Sequence, residues 1–175
     1  MKRIFLIVCC MMAVLCNSHA QHFEFMGIPI DGSIESFDAK LKAKGFVNSK
    51  DFGIENTKTE KWYDGRFAGN DVVLLVHCTR TNLVYSITVT QFFETLDDVK
   101  AKWKYYVSVI KDKYKDRIVN TRIQGVDDIR YEMELGDIVV NYIKLDFKDN
   151  KYGLTLLYID RKNTVIDNEM RREDI

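Results

Sequence analysis

The residues of this chain best equipped for chemistry are an adjacent histidine and cysteine, His77 and Cys78, the carboxylate pairs Asp97-Asp98 and Asp127-Asp128, and the aromatic and cationic run "EKWYDGRF". A cysteine becomes a nucleophile when a nearby imidazole takes its proton. His77 and Cys78, however, end the run "DVVLLVHC", which reads as a strand, where neighbouring side chains point to opposite faces. Cys78 then shares a face with Val72, Leu74 and Val76 and reads as a small buried hydrophobe, and His77 as a partly buried, hydrogen-bonded ring.

The carboxylate pairs have local explanations. Asp97-Asp98 falls at the start of a helix, where the dipole favours negative charge, and Asp127-Asp128 follows Gly125 in a turn. Only three histidines are present, with no zinc-type spacing, and "DNKYG" is too short for a calcium loop. No G-x-S-x-G, H-E-x-x-H or P-loop occurs. The reading therefore places no catalytic residue, no metal and no cofactor. An alternative, a carboxylate-based hydrolase, rests on Asp64, Glu132 and Glu134 and requires two carboxyls to converge in a cleft.

Aromatic residues make up 12% of the chain, and "EKWYDGRF" sets Trp62, Tyr63 and Phe67 beside Lys61 and Arg66. An exposed aromatic next to an arginine suits a protein, a peptide or a sugar, so Trp62, Tyr63, Arg66 and Phe67 are the candidate binding residues. The stretch "GIPIDGS" holds the only proline and an Asp31-Gly32-Ser33 that resembles an anion cradle. It lacks the further glycines or the lysine of a phosphate loop and reads as a hinge that delivers Ser33 as a helix cap.

The elements that position these residues follow from periodicity. Ile34, Phe37 and Leu41 recur at helical spacing after Ser33, and Gly45 with Phe46 reads as a helix-ending Schellman motif. A second helix is capped by Thr95 and carries Val99, Trp103, Tyr106, Val107, Ile110 and Tyr114 as one stripe. "LVYSITVTQF" alternates, with Leu83, Tyr85, Ile87 and Val89 on one face and Ser86, Thr88 and Thr90 on the other. "RYEMELGDIVVNYIKLDF" and "KDNKYGLTLLYID" predict three further strands, with turns near Gly136-Asp137 and Asp149-Asn150. "YDGRFAGNDVV" and "YEMELGDIVV" echo each other and predict repeats over 26–93 and 94–160, with a hairpin turn at Gly69-Asn70 and Gly65 inside a strand at a bulge or close backbone approach. The stretch 161–175 reads as a charged tail, frayed helix or disordered.

"MKRIFLIVCCMMAVLCNSHAQ" has a basic start, an apolar run from Ile4 to Cys16, and small residues before Gln21. That is the pattern of a secretory signal peptide over 1–20, shorter than the roughly 20 apolar residues of a membrane span. Cys16 admits lipoprotein processing as an alternative. Removing the leader leaves Cys78 as the only thiol and excludes an intramolecular disulfide. The whole chain has 26 basic and 26 acidic residues, and losing Lys2 and Arg3 tips the balance to a net −2, which steers nothing toward nucleic acid.

The opening "FMGIPIDGSIESFDAKLKAKGF", with "RFAGNDV" and the leader ending in Ala20-Gln21, resembles small uncharacterised secreted proteins of gut-dwelling Gram-negative bacteria, a group with no catalytic residues to carry over. The layout of a helix followed by antiparallel strands, repeated, is similar to the tandem architecture of β-lactamase inhibitory protein and its relatives. No inhibitory motif of that family can be placed here, and its disulfides are absent.

Together these features predict an exported, periplasmic or surface-associated α+β protein, with one domain over 21–160 and two main helices on antiparallel sheet. The leading functional expectation is a non-enzymatic binding module for a protein or peptide, with the hydrolase and an envelope-assembly or structural protein as alternatives. The oligomeric state is open.

Overall fold

A computed structural model describes residues 22–49, 56–146 and 151–172. The leader expected over 1–20, with Cys16, and the turn expected at Asp149-Asn150 lie outside the described residues. The fold is α+β: the described residues form ten strands and three helices, with an eight-stranded, wholly antiparallel sheet at the centre. A short hairpin, β1 (Glu24–Phe25) and β2 (Ile28–Pro29), precedes helix α1 (Ile34–Ala43). Four strands follow, β3 (Val47–Asn48), β4 (Glu60–Phe67), β5 (Asn70–Cys78) and β6 (Val84–Phe93). Helix α2 (Leu96–Tyr114) leads to β7 (Ile118–Ile123), β8 (Asp128–Met133), β9 (Gly136–Asp146) and β10 (Lys151–Asp160), and α3 (Arg161–Arg172) closes the described chain. The order across the sheet is β3-β4-β5-β6-β10-β9-β8-β7.

Helix ends form where the local chemistry favours them. The Ser33 hydroxyl accepts from the Ser36 amide, and the Thr95 hydroxyl accepts from the Asp98 amide at 3.1 Å. At the end of α1 the Phe46 and Gly45 amides return to the carbonyls of Leu41 and Lys42, with Gly45 at φ +90°, which is the Schellman geometry. Val99, Tyr106, Ile110 and Tyr114 of α2 are buried, and Trp103 donates its indole N–H to the Val140 carbonyl. α1 and α2 cover one face of the sheet and seal its core.

Two glycines are required by close approach. A Cβ on Gly65 would lie 2.2 Å from the Phe46 ring, so the glycine lets the end of α1 settle on β4. A Cβ on Gly136 would lie 2.1 Å from the Ile159 carbonyl. Gly136 is thus the first residue of β9 rather than part of a turn; Glu134 and Leu135 make that turn. In the first hairpin the turn residues are Ala68 and Gly69, both at positive φ, between the paired Phe67 and Asn70, one residue earlier than the spacing suggested.

Three expectations are corrected. The described residues hold three helices where two main ones were expected, because the stretch read as a charged tail, frayed helix or disordered, forms α3 as far as Arg172. An unexpected strand, β7, forms the far edge of the sheet. In β6 the strict alternation breaks, because His77 pairs with Ser86 but Cys78 pairs with Val84, leaving Tyr85 as an extra residue. This bulge reverses the phase before it, so Val84 turns to the core face with Cys78 and Leu83 is partly exposed, while Ser86 keeps the face of Thr88 and Thr90 and is buried there.

α3 is secured by polar contacts. The fully buried Asp160 caps it, one carboxylate oxygen accepting from the Asn163 amide at 2.8 Å and the other from the Phe23 amide at 2.8 Å, with His22 Nδ1 at 3.1 Å. The Asn163 side chain donates to the carbonyls of Ile30 and Val84. Asp160→Ala strands two buried amides and is expected to lower stability by about 3 kcal/mol in urea denaturation. Gly65→Ala is expected to cost about 2 kcal/mol through overpacking. Adding Phe46→Leu should recover part of that loss in a double-mutant cycle, whereas additive costs would place the strain elsewhere.

Candidate functional site

The "EKWYDGRF" segment is β4, and strand alternation divides its candidates between the two faces of the sheet. Tyr63 and Phe67 turn toward the helices. Tyr63 is fully buried and donates its hydroxyl to Asp38 of α1 at 2.9 Å. Phe67 stacks on Phe25 with ring centroids 5.6 Å apart. Burial and the bond to Asp38 push the Tyr63 hydroxyl well above the usual tyrosine range. Burial opposes charge on Asp38, but the hydrogen bonds from Lys42 and Tyr63 prevail and hold its carboxyl below its ordinary value. Tyr63 is therefore a core residue, and Phe67 a partly buried one packed against the core.

Trp62 and Arg66 point to the opposite face. Trp62 is half-buried against it, its indole Nε1 without a hydrogen-bond partner among the described residues. Arg66 is exposed and spans to Asp71, its cross-strand neighbour on β5, at 3.5 Å. A hollow of about 450 Å³ opens here, lined by Val47, Asp64, Arg66, Asp71, Val73 and Phe92 among others.

Register shows what the rest of this face carries. Leu75 of β5 is opposite Thr88 of β6, which pairs with Leu157 of β10, which pairs with Val139 of β9. The next row runs Val73, Thr90, Thr155 and Asn141, and beyond it lie Phe92, Gly153 and Ile143. Phe92 is 47% exposed, Ile143 52% and Leu145 44%. The first two of these rows hold no charged residue, while Asp71 of β5 stands at one end of the face beside Phe92 and the buried Asp137 of β9 at the other. Charge collects at the flanks, with Asp64 and Arg66 on β4 and Arg130 and Glu132 on β8. A solvated antiparallel face ordinarily carries polar and charged side chains. An uncharged centre with a charged rim is instead the anatomy of a protein interface.

The proposed hydrolytic carboxylates do not converge. Asp64 on β4 and Glu132 on β8 are five strand positions apart in the sheet, about 24 Å at ordinary strand spacing, well beyond the separations of glycosidase carboxyl pairs. Glu134 is exposed in the β8–β9 turn. Topology instead sets Glu132 opposite Asp137, and arginines occupy both: Arg122 lies 2.6 Å from Glu132, while Arg130 and Arg161 bracket the buried Asp137. The β8–β9 hairpin register is the signal that would have paired them. Asp98 is held by the Thr95 cap, and Asp127 accepts from the Tyr142 hydroxyl, which burial and that bond push up to about 12.

The bulge at Tyr85 brings His77 and Cys78 to one hollow of about 240 Å³, shared with Glu60, Arg80, Tyr85 and Asp167. His77 Nδ1 lies 3.5 Å from Glu60 and its ring stacks on Tyr85. The Cys78 thiol donates to the Lys58 carbonyl at 3.4 Å, and burial raises its pKa, which disfavours the thiolate needed for attack. With 2% exposure, Cys78 cannot reach a second chain without local opening. Among the described residues no cluster of three metal-ligating side chains forms, and no helix is long and apolar enough to cross a membrane. No family model matches the chain, and comparison with curated proteins and with solved structures finds no similar one.

Tyr63 and Tyr158, both raised chiefly by burial, give the fold a definite response to alkali. Their hydroxyls titrate near 10 when unfolded and higher when folded, so the stability they confer is full below about pH 10 and is lost as pH climbs above it. The urea midpoint is expected to hold up to about pH 10 and to fall progressively above it. Tyr63→Phe should make that fall shallower; an unchanged slope would show that Tyr63 holds its proton no more tightly in the folded chain.

Proposed function

We propose that the chain is an exported, non-enzymatic binding module that presents the sheet face with the uncharged middle to a protein or peptide partner. The observation that carries this reading is the uncharged middle of that face, the rows from Leu75 to Val139 and from Val73 to Asn141, with Phe92 and Ile143 exposed beside it and charges, Asp71 and Asp137 among them, at its margins. A partner that covers Ile143, Leu157 and Phe92 removes apolar area from water, while Arg66, Arg130 and Glu132 at the rim set orientation.

The architecture is read as a tandem pseudo-repeat, 26–93 and 94–160, in which one helix leads into four strands and the two copies join through β6 and β10. The mirrored strand order supports this reading, as do helices α1 and α2 that each precede their own four strands. Duplication of this kind gives a sheet twice as wide as one unit, hence a face broad enough for a macromolecular partner. The export element of the proposal rests on the leader sequence over 1–20.

A photo-crosslinking side chain at position 143 tests the proposal against the same probe at Lys111 on α2. A protein adduct is expected from position 143 and not from 111. Leu145→Lys, on the exposed end of the same strand, should reduce the yield about tenfold without changing the thermal midpoint. Equal adducts from both positions, or a yield indifferent to Leu145→Lys, would place the partner elsewhere.

A further inference from the structure

Where the end of β6 meets the start of α2, next to the docking face, a second surface has a different chemistry. A groove of about 520 Å³ runs between the first half of α2 and the end of β6. Two aromatics on its walls are open to solvent, Tyr105 at 52% and Phe92 at 47%. Around them converge the amides of Asn70 and Gln91, the carboxylates of Glu94 and Asp98, and the ammonium of Lys102. We propose that this groove is a binding site for a neutral sugar.

Three features point to that ligand class. The first is composition. A sugar ring offers a C–H face that packs on an aromatic and an equator of hydroxyls that both donate and accept. The groove supplies an exposed ring beside acceptors on Glu94, Asp98 and Gln91 and a donor on Lys102. A dry protein interface over the same spot would take the Glu94 and Asp98 carboxylates out of water, a cost that the single bond from Thr95 to Asp98 does not offset.

The second feature is preorganisation. Lys102 Nζ is 3.3 Å from the Asn70 side-chain oxygen and lies 5.1 and 5.3 Å from the ring centroids of Tyr105 and Tyr106, so its position on the wall is set before any ligand arrives. The third is an orphan. Gln91 lines the groove, and its side-chain oxygen is shielded from solvent with no hydrogen-bond partner among the described residues. A buried acceptor left unpaired is costly, and a ligand hydroxyl reaching it would relieve that cost.

Charge selects within the class. Two carboxylates face one ammonium, so sialylated, sulfated and uronic-acid sugars are repelled and neutral ones are favoured.

The test is a glycan array of neutral, sialylated and sulfated oligosaccharides probed with the full chain, followed by titration calorimetry with the strongest neutral binder. Binding of neutral oligosaccharides with dissociation constants of about 1 mM or tighter is expected. Tyr105→Ala should weaken binding about tenfold while leaving the thermal midpoint unchanged, since its ring is half exposed. Leu145→Lys, on β9 and outside the groove, should leave sugar binding intact, so that failure here and failure of the docking face are separable. The inference is overturned if no neutral glycan binds at about 10 mM, if acidic glycans bind better than neutral ones, or if Tyr105→Ala binds as the parent does.

Discussion

The Asp160 carboxylate has no exposure to solvent, and its oxygens are engaged by the amides of Phe23 and Asn163 and by the His22 ring. A charge buried in this way persists only when hydrogen-bonded on all sides, because water can no longer stabilise it. Here the donors come from residues more than a hundred positions apart. One carboxylate therefore joins the N-terminal hairpin, the end of β10 and the start of α3, and Asn163 extends the tie to Val84 at the entry of β6. The Arg161 amide reaches Leu135, and its guanidinium reaches Asp137. The end of the sheet where β6, β10 and β9 meet is thus closed by directional polar contacts rather than by apolar packing.

That closure leaves the two faces of the sheet free to differ. On the helical face the core is dense and rich in aromatics, with Phe23, Phe25, Phe67, Tyr106 and Tyr158 in mutual ring contact. Gly65 and Gly136 permit the closest approaches, because a methyl group at either would collide with its neighbour. The opposite face is assembled from threonines and branched aliphatics of four strands contributed by distant parts of the chain. Its uncharged middle emerges only when β6 and β10 are laid side by side. The same pairing puts Phe92 between the docking face and the groove under α2, so both proposed surfaces grow from the end of one strand.

Much of the architecture is legible in local sequence. Ser33 and Thr95 announce helix starts through a side-chain oxygen that satisfies a first-turn amide, and Gly45-Phe46 announces a helix end. The apolar stripe from Val99 to Tyr114 states which side of α2 must be covered. α3 is legible only as a frayed helix or disordered tail for the complementary reason: "RKNTVIDNEMRR" is mostly polar, and the residues that anchor it, Asn163 and Asp167, are buried polar ones. β7 is short, largely exposed and interrupted by a register shift near Val119, so it lacks the alternation by which strands are recognised.

What the sequence alone determined is therefore the α+β class, the positions of α1, α2 and the main strands, and the place of Gly65 inside a strand, since caps, stripes and alternation act within a few residues of one another. Only the tertiary structure decided the bulge at Tyr85, the role of Gly136, which face of β4 the helices cover, and the pairing of Glu132 with Asp137. Each of these depends on which strand lies alongside which. Register across a sheet is set by contacts between segments far apart in the chain, and a shift of one residue turns every side chain to the other face.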